Sequence, residues 1–391
     1  MSDNFRTLFV LPSFGRNGAV DFIVNLADAM ASQSRDVEIL ALRGGVPADR
    51  GPRGPVTVTT ALRQPSTPGS KSGLVMRIQR ALNGVRSVVA VMKGVARSDV
   101  VILTWEYGRA LLLPSIAAFI LRKPTVAIVQ NNVQRSMADY SKVGWRRVLR
   151  WAYARACAVV CISSDQIDVL RQIGVPDENF VTIPNAIDVE RVRTLAEQPP
   201  TSDMTLEGAP FVVGMGRLSA QKGFDFLIQS HAELLKRGVD HRLALIGYGP
   251  DKNALKALAA ELGVGDSVLF LGFQTNPYPT LLQSSVYCLS SRFEGRPLVL
   301  SEAALLGVPM IATDCPTGPR EILADGLYGD LVEPESVEAL TAALERHFRD
   351  PQRLIAKAQA ATADSDRFSI QVCAEKYIAL IRRHLSPGTV S

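Results

Sequence analysis

Short apolar runs rich in β-branched residues alternate with amphipathic stretches along the whole chain, and this alternation restricts the fold more than any other feature. Apolar runs of this length, separated by helix-length segments, predict parallel strands joined by crossover helices in an α/β architecture. The predicted strands of the first half are TLFVLP, VEILAL, VVILTW, TVAIVQ, AVVCIS and FVTIPN. Those of the second half are FVVGMG, HRLALIG, VLFLGF, VYCLSS, PMIATD and GDLVEP.

The alternation is interrupted by EQPPTSDMTLEGAP at 197–210, a segment with no hydrophobic period. Such a composition is typical of a linker. We therefore predict two doubly wound, Rossmann-like domains, one over 1–195 and one over 211–367, with a linker at 196–210. Ligands of such sheets bind at the carboxyl ends of the strands. Two facing domains would therefore enclose a cleft lined by two sets of strand ends.

The composition is that of a globular protein, with 47% hydrophobic and 21% charged residues among 391. Five cysteines without a C-x-x-C spacing predict buried thiols rather than a disulfide framework, and hence a reducing cytosol. The N-terminus runs directly into a predicted strand without a signal-peptide pattern. The longest apolar run, ALLLPSIAAFIL, is too short to span a bilayer. We expect a cytoplasmic protein, soluble or peripheral to the membrane.

Charge is unevenly distributed between the two halves. Residues 1–195 hold 25 Lys and Arg against 15 Asp and Glu, a balance of +10, and 196–391 hold 18 against 23, a balance of −5. A basic half indicates an anionic partner such as a phosphorylated acceptor, a membrane surface or a nucleic acid. A nucleic acid is disfavoured because no recognition element is evident.

Two basic stretches in the first half, 71–97 and 142–155, combine Lys and Arg with apolar residues. The second also carries Trp145, Trp151 and Tyr153. Basic helices with aromatic residues resemble helices that lie at a membrane interface. The alternative is an ordinary domain helix with a solvated basic face.

The segment RFEGRPLVLSE at 292–302 places two glutamates, Glu294 and Glu302, around the predicted start of a helix. Pro297 suits the first helical turn. The free amides and positive dipole end of a helix N-terminus, here at Gly295–Leu298, favour a phosphate. A diphosphate there would leave Glu294 and Glu302 to accept hydrogen bonds from hydroxyls at opposite ends of the ligand, which is the layout of a nucleotide-sugar. The alternative is a helix with two structural glutamates.

Three further loops follow predicted strands, and two of them, within 214–228 and at Gly15–Gly18, are strand-to-helix corners that suit anion binding. In GMGRLSAQKGFDFLI (214–228), Arg217 and Lys222 flank a loop closed by Gly223, and two cations there suit diphosphate binding and leaving-group neutralisation. A solvated loop is the alternative. The glycine pair of LIGYGP permits a close backbone approach. Gly15 and Gly18 open a loop into a helix, but the dinucleotide fingerprint G-x-G-x-x-G is absent.

No metal site is predicted. The four histidines, His231, His241, His347 and His384, all fall in the second half without ligand spacing and are interpreted as surface or packing residues. We expect no resident metal or cofactor.

The ordered set of motifs resembles the retaining glycosyltransferases of the GT-B fold, family 4. The resemblance rests on GRLSAQKGFDFLI, FEGRPLVLSEAALLGVPMIATD, CPTGPREIL and ISSDQIDVLRQIGVPDENFVTIPNAID, and it covers nearly the whole chain. It implies two Rossmann-like domains facing across a cleft, with a final segment, 368–385, that crosses back to the first domain.

The resemblance also implies roles for individual residues. Arg217 and Lys222 would bind the donor diphosphate and stabilise charge on the departing nucleotide. Glu294 would contact the reacting sugar and Glu302 the ribose. The donor would also be held by a set of mostly backbone contacts at Gly295, Arg296, Pro297, Leu298, Gly216, Gly247, Gly15 and Gly18. The family needs no metal, so these cations and helix ends replace a divalent ion.

Two positions depart from the family pattern. Many relatives carry a histidine at a strand end resembling TVAIVQNNV, where this chain has Gln130 or Asn131, depending on register. An amide can hydrogen-bond a sugar hydroxyl on the acceptor side but cannot act as a general base. The donor phosphate could instead take the acceptor proton in a front-face retaining mechanism. Arg296 replaces an apolar residue and either adds a cation near the phosphates or faces solvent.

The leading prediction is a transferase that moves a UDP-linked hexose or N-acetylhexosamine to a saccharide acceptor, carried on a lipid diphosphate, in glycan assembly. The UDP preference comes from the resemblance of CPTGPREIL to such members. One alternative is a GDP-mannose-dependent mannosyltransferase. Another is a non-catalytic relative that binds nucleotide-sugar or saccharide, an alternative suggested by the missing histidine.

Overall fold

The computed structural model describes residues 5–15, 18–33, 35–47, 51–62, 73–130, 144–200 and 209–385, and over 73–81 it describes the backbone alone. The chain divides into two compact units. The first comprises Met1–Asn185 and Ile370–Ser391, and the second comprises Ala186–Ser369.

The first unit is built on a seven-stranded parallel sheet of order β3-β2-β1-β4-β5-β6-β7. Its strands are β1 (Arg6–Ser13), β2 (Asp36–Arg43), β3 (Thr57–Thr60), β4 (Val100–Leu103), β5 (Thr125–Val129), β6 (Ala158–Cys161) and β7 (Phe180–Thr182). Its helices are α1 (Gly18–Ser32), α2 (Gly73–Arg97), α3 (Gly108–Ile120), α4 (Gly144–Tyr153), α5 (Asp165–Gln172) and, after the second unit, α14 (Ile370–Leu385). All six predicted strands are present, and β3 is an addition.

Strand β3 was not predicted because it lacks an apolar run. Its sequence is TVTT, and it pairs only with β2 at the edge of the sheet, where no residue is fully buried. An edge strand has one neighbour and a partly solvated face, so its sequence carries little hydrophobic signal.

The second unit has a six-stranded parallel sheet of order β10-β9-β8-β11-β12-β13. Its strands are β8 (Phe211–Met215), β9 (Arg242–Ile246), β10 (Val268–Gly272), β11 (Val286–Leu289), β12 (Met310–Thr313) and β13 (Asp330–Val332). Its helices are α6 (Val189–Ala196), α7 (Phe224–Lys236), α8 (Lys252–Glu261), α9 (Tyr278–Gln283), α10 (Leu298–Leu305), α11 (Pro319–Ile322), α12 (Val337–Arg349) and α13 (Pro351–Ala363). Each of the six strands corresponds to a predicted apolar run.

The units meet at different residues from those predicted. The first unit ends at Asn185 rather than at 195, because α6 packs against α9 of the second unit. Just before α6, the Ile187 amide donates to the Phe368 carbonyl at 2.8 Å. Helix α14 returns to the first unit and packs against α1, but the change of unit comes after Ser369, so 368 and 369 of the predicted crossover stay with the second unit. Residues 201–208 of the predicted linker lie outside the described residues.

Both sheets are covered by helices on both faces, which explains why their strands read as continuous apolar runs. Strands β4, β5 and β6 are fully buried, as are β8, β11 and β12. All five cysteines are free thiols, four of them buried. Among the helices that the structure describes, none combines the length and apolarity needed to cross a membrane.

A buried histidine pair lies at the amino ends of β9 and β10. His241 Nδ1 lies 2.9 Å from the Val239 carbonyl oxygen, so this nitrogen carries the proton. His241 Nε2 therefore accepts from His231 Nδ1 at 2.9 Å, and His231 Nε2 accepts from the Ser267 hydroxyl at 2.8 Å. Burial, together with His241, lowers the pKa of His231 to about 3, and burial also lowers the pKa of His241.

We expect the free energy of unfolding to fall as the pH drops below about 6.5. The unfolded histidines take up protons there, whereas the folded pair does not, so each histidine should contribute a slope of up to about 1.4 kcal/mol per pH unit. This loss should continue until the pH approaches 3, where folded His231 itself protonates. Urea unfolding between pH 8 and pH 5 measures the slope.

The variant His231→Gln provides the matched comparison. Below pH 6.5, it should reduce the slope of the unfolding free energy against pH by about the contribution of one histidine. Above pH 7.5, the slope should be unchanged. Equal slopes for the wild-type protein and the variant below pH 6.5 would show that the histidine pair does not cause the pH dependence of the unfolding free energy.

Candidate active site

The predicted donor motifs follow two neighbouring strands, β8 and β11. From β8 the chain builds β9 and β10 to one side and then crosses back to build β11, β12 and β13 on the other. The strand order therefore reverses between β8 and β11, and such a switch point leaves a crevice at the carboxyl ends of the two strands. The loops after β8 and β11 carry Arg217 with Lys222 and Glu294, respectively.

Lys222 and Glu294 form an ion pair at this switch point. Lys222 Nζ donates to Glu294 Oε1 at 2.7 Å, and the Ser291 hydroxyl donates to the same oxygen at 2.6 Å. The Glu294 side chain is 6% exposed and that of Lys222 is 17% exposed. A carboxylate this buried requires a charged partner and additional hydrogen bonds. The two side chains, 72 residues apart in sequence, are thus fixed together.

Three hydrogen bonds to backbone carbonyls hold the two loops in register. The Arg292 amide donates to the Gln221 carbonyl at 2.8 Å, and the Gln221 side-chain amide donates to the Phe293 carbonyl at 3.1 Å. The Ser290 hydroxyl donates to the Lys222 carbonyl at 2.9 Å. These bonds place Lys222 beside Glu294 without relying on the ion pair alone.

Arg292, which the sequence did not single out, supports the same junction. Its guanidinium donates to both carboxylate oxygens of Asp225 at 2.9 and 2.6 Å, and to the Ala220 carbonyl at 2.6 Å. It also lies 4.3 Å from the centroid of the Phe226 ring. The carboxylates of Asp225 and Glu335 raise the pKa of Arg292. The bidentate hydrogen bonds from Arg292 to Asp225 therefore connect the first turn of α7 to the loop that precedes Glu294.

Glycines allow the loops to approach this closely. Gly223 has φ 60°, and a Cβ there would lie 2.0 Å from the Ser290 carbonyl oxygen. Gly247 has φ 142°, and a Cβ there would lie 1.8 Å from the carbonyl oxygen of Gly216. The close approach expected at Gly247 is therefore made by the neighbouring loop after β8.

Helix α10 begins beside Glu294, as the motif predicts. Pro297 is its N-cap rather than a residue of its first turn and makes no side-chain capping bond. The amides of Leu298 and Val299 therefore have no intrahelical acceptor, whereas the Leu300 amide donates to the Pro297 carbonyl at 3.0 Å. Glu302 lies in the second turn, half-buried, and accepts a hydrogen bond from the Tyr278 hydroxyl at 3.1 Å.

The loop after β12 packs onto the helix start. The Thr317 hydroxyl donates to the Glu294 carbonyl. A Cβ on Gly318, which has φ 95°, would lie 3.0 Å from the Gly295 carbonyl oxygen. The Arg296 side chain, only 3% exposed, pairs with Glu321 at 3.2 Å. Of the two expectations for Arg296, solvent exposure is therefore wrong, because the guanidinium is buried against this loop.

Arg217 differs from the other cations of the site. Its residue is exposed, and its guanidinium makes no hydrogen bond or ion pair with any residue that the structure describes. Two exposed aromatic residues, Tyr248 and Phe273, follow β9 and β10 at the same sheet edge, with ring centroids 6.1 Å apart in an edge-on arrangement. The sequence analysis missed this pair, although both residues lie within two positions of a strand end.

Burial suppresses ionisation of the remaining groups near Glu294. Desolvation, with a contribution from Glu294, raises the pKa of the Cys315 thiol to about 12. Desolvation likewise raises the pKa of the Tyr287 hydroxyl well above its usual value. Over the described ranges, no three His, Cys, Asp or Glu side chains converge as a metal site would require.

In the first unit, Gln130 follows β5 and lies in a buried polar cluster with two residues that the sequence analysis missed. Its backbone amide donates to the Glu106 carboxylate after β4, and its side-chain oxygen accepts from the Asn185 amide at 2.9 Å. The Gln130 Nε2 group has no partner among the described residues. Glu106 and Asn185 each lie three residues beyond a strand, a position that could have identified them.

The remaining first-unit predictions concern three residues. Gly15 follows β1, and Gly18 is the exposed first residue of α1. Their predicted donor contacts stay predictions. Asn131 lies outside the described residues.

Comparison with solved structures identifies the fold. The structure of Anabaena HepE in complex with UDP-glucose superposes with a TM-score of 0.78 over 97% of this chain and 100% of that one, at 22% sequence identity. The two parallel-sheet, Rossmann-like units are thus those of the GT-B glycosyltransferases, as predicted.

Sequence comparison identifies the family. The family model described as Glycosyltransferase Family 4 matches residues 16–191, and the model described as Glycosyl transferases group 1 matches residues 202–363. The chain therefore belongs to the family 4, group 1 glycosyltransferases.

Curated relatives match parts of the chain. An uncharacterized glycosyltransferase of Methanocaldococcus jannaschii is 33% identical over 171 residues, 40% of this chain and 42% of the relative. The N-acetylgalactosamine-N,N'-diacetylbacillosaminyl-diphospho-undecaprenol 4-alpha-N-acetylgalactosaminyltransferase of Campylobacter jejuni is 27% identical over 259 residues, 65% of this chain and 67% of the relative.

The close packing at Gly223 can be tested against a glycine that lacks it. Gly238 also has a left-handed backbone, with φ 79°, but nothing lies within 4 Å of its Cβ position. We expect Gly238→Ala to destabilise the protein by about 1–2 kcal/mol, the usual strain of this backbone region. Gly223→Ala should cost about 1–3 kcal/mol more, because its methyl group would overlap the Ser290 carbonyl.

Urea unfolding of both variants measures the difference in their free energies of unfolding. Nucleotide affinity, measured for the same two variants, reports whether Lys222, the residue before Gly223, keeps its position. Equal unfolding free energies for the two variants would show that the β8 and β11 loops are not held as tightly as the structure indicates.

Proposed function

We propose that the chain is a retaining, metal-independent glycosyltransferase. Its donor would be a UDP-linked hexose or N-acetylhexosamine, and its acceptor a saccharide carried on a lipid diphosphate at the cytoplasmic face of a membrane. The observation that carries the proposal is the buried Lys222–Glu294 pair at the switch point between β8 and β11, next to the amino end of α10.

The donor diphosphate would lie between the first amides of α10 and two cations. Backbone amides around Gly295–Leu298 and the dipole of the helix favour negative charge there. Lys222 is held in place by Glu294, and Arg217 extends into solvent without a described partner. Both would stabilise charge that develops on the leaving nucleotide diphosphate, the form of catalysis in which preorganised charges contribute most.

The two glutamates would hold the hydroxyl groups of the donor. Oε1 of Glu294 is occupied by Lys222 and Ser291, which leaves Oε2 to accept from the reacting sugar. Glu302, already hydrogen-bonded to Tyr278, would accept from the ribose. The exposed Tyr248 and Phe273 rings offer an apolar surface for the base.

The acceptor would be deprotonated by the donor phosphate in a front-face reaction, because the amide of Gln130 cannot act as a base. Its Nε2 group, without a described partner, could donate to a hydroxyl of the acceptor. The lipid-linked acceptor is supported by the Campylobacter jejuni relative, whose name specifies a diphospho-undecaprenol-linked saccharide. The UDP donor is supported by the UDP-glucose bound to Anabaena HepE.

The first experiment is a calorimetric titration with UDP, GDP, ADP and their common sugars without added metal. Micromolar binding of UDP and one UDP-sugar would support the proposal, and binding of GDP-mannose alone would favour a mannosyltransferase. No binding of any nucleotide would overturn the donor site. Product anomeric configuration, read by NMR, then tests retention, and binding without nucleotide release over long incubation would indicate a non-catalytic relative.

We expect Glu294→Ala and Lys222→Ala each to reduce turnover at least about a hundredfold, since each removes a contact to charge or hydroxyls at the reacting centre. Initial rates of nucleotide release measure the effect. The matched controls are Glu261→Ala and Lys252→Ala, exposed residues of the same unit, which should leave the rate unchanged. Near-normal rates for both site variants would contradict the assignment.

A further inference from the structure

Three packed helices of the first unit contain no acidic residues in their sequences. Helix α3 packs against both α2 and α4. Together, α2 (Gly73–Arg97), α3 (Gly108–Ile120) and α4 (Gly144–Tyr153) contain nine Lys and Arg and no Asp or Glu. The rest of the chain has 43 − 9 = 34 basic and 38 acidic residues, so the excess positive charge is concentrated on these helices.

The same helices expose large apolar side chains. Ile116, Phe119 and Ile120 lie at helical spacing on one side of α3 and are 39%, 61% and 59% exposed. Helix α2 adds four side chains that are 45–62% exposed, namely Leu82, Val85, Val88 and Val89. These seven make up more than half of the thirteen exposed large hydrophobic residues in the described part of the chain. Apolar groups concentrated in this way indicate an interaction site.

Aromatic residues and arginine meet at the junction of α3 and α4. The Phe119 and Trp151 rings pack edge-on with centroids 5.9 Å apart. The Arg155 guanidinium lies 5.7 Å from the centroid of Phe119 and 5.2 Å from that of Trp151. Exposed Arg146, Arg147 and Arg150 lie on the same helix as Trp151. Tryptophan beside arginine is typical of groups at the boundary between lipid headgroups and acyl chains.

We propose that this α2–α3–α4 face docks on an anionic lipid surface, with Phe119 and Ile120 entering the headgroup region and the arginines contacting lipid phosphates. A lipid surface matches both properties of the face, its positive charge and its projecting apolar side chains. A nucleic acid would use the charge but not the apolar side chains. The proposal rests on the proposed function only in that a lipid-linked acceptor gives the docking a purpose.

The test uses the full chain and vesicles of phosphatidylcholine with or without about one third phosphatidylglycerol. We expect binding to the anionic vesicles, weakening as salt rises, because exposed charges are screened. Two pairs of substitutions separate the contribution of apolar contact to vesicle binding from that of charge. Phe119→Ser with Ile120→Ser removes apolar contact, and Arg146→Gln with Arg147→Gln removes charge. Each pair should weaken vesicle binding at least about tenfold, and the charge pair should also reduce its salt dependence.

Matched controls lie in the second unit. Leu327→Ser removes an equally exposed apolar side chain, 60% exposed, and Lys252→Gln with Lys256→Gln removes two exposed charges. Both should bind vesicles as the wild-type protein does. As a readout that needs no variant, brominated lipids should quench the tryptophan fluorescence of the wild-type chain, since all three tryptophans lie within 105–151.

Absent binding to anionic vesicles, equal binding by the two substituted pairs and their controls, or self-association that depends on Phe119 would each overturn the proposal. The proposed function is measured separately, as sugar transfer to a water-soluble acceptor analogue without vesicles. Vesicle binding without transfer would contradict the function alone, and transfer without vesicle binding would contradict the docking face alone.

Discussion

The site of the second unit depends on one close contact, that of the loop after β8 with the loop after β11. The contact exists because Gly223 has no side chain to collide with the Ser290 carbonyl. It brings Lys222 to Glu294 in a nearly buried ion pair. Removing one member of a buried pair leaves the other charge uncompensated, at a cost of about 3–5 kcal/mol, so the stability of this region rests on these two side chains.

Around that pair, some arginines hold the loops in position, whereas another is available to bind a ligand. Arg292 is fully engaged by Asp225, by Glu335 and by the Ala220 carbonyl, so it supports the loops. Arg296 is likewise buried against Glu321. Arg217 is exposed, and it has no partner in the described part of the chain. Charge alone does not distinguish these three arginines, and only their surroundings assign them different roles.

The two units share an architecture but differ in surface chemistry. The first carries the net positive charge of the chain on helices that also expose apolar groups, and its buried polar cluster contains Glu106, Gln130 and Asn185. In the second, Arg217 and Lys222 both lie in the loop that follows β8. Under the proposed function, the first unit would take a large amphiphilic acceptor and the second a small, anionic donor.

The sequence by itself determined twelve of the strands and the positions of the predicted donor motifs along the chain, because buried parallel strands and helix starts have strong local signals. The edge strand β3, the end of the first unit at Asn185 and the burial of Arg296 emerged only in the structure. So did Glu106 and Asn185, which join Gln130 across strands distant in sequence. Partners of this kind are chosen by sheet order and loop packing, which no local pattern encodes, whereas the strands themselves follow from short-range hydrophobic periodicity.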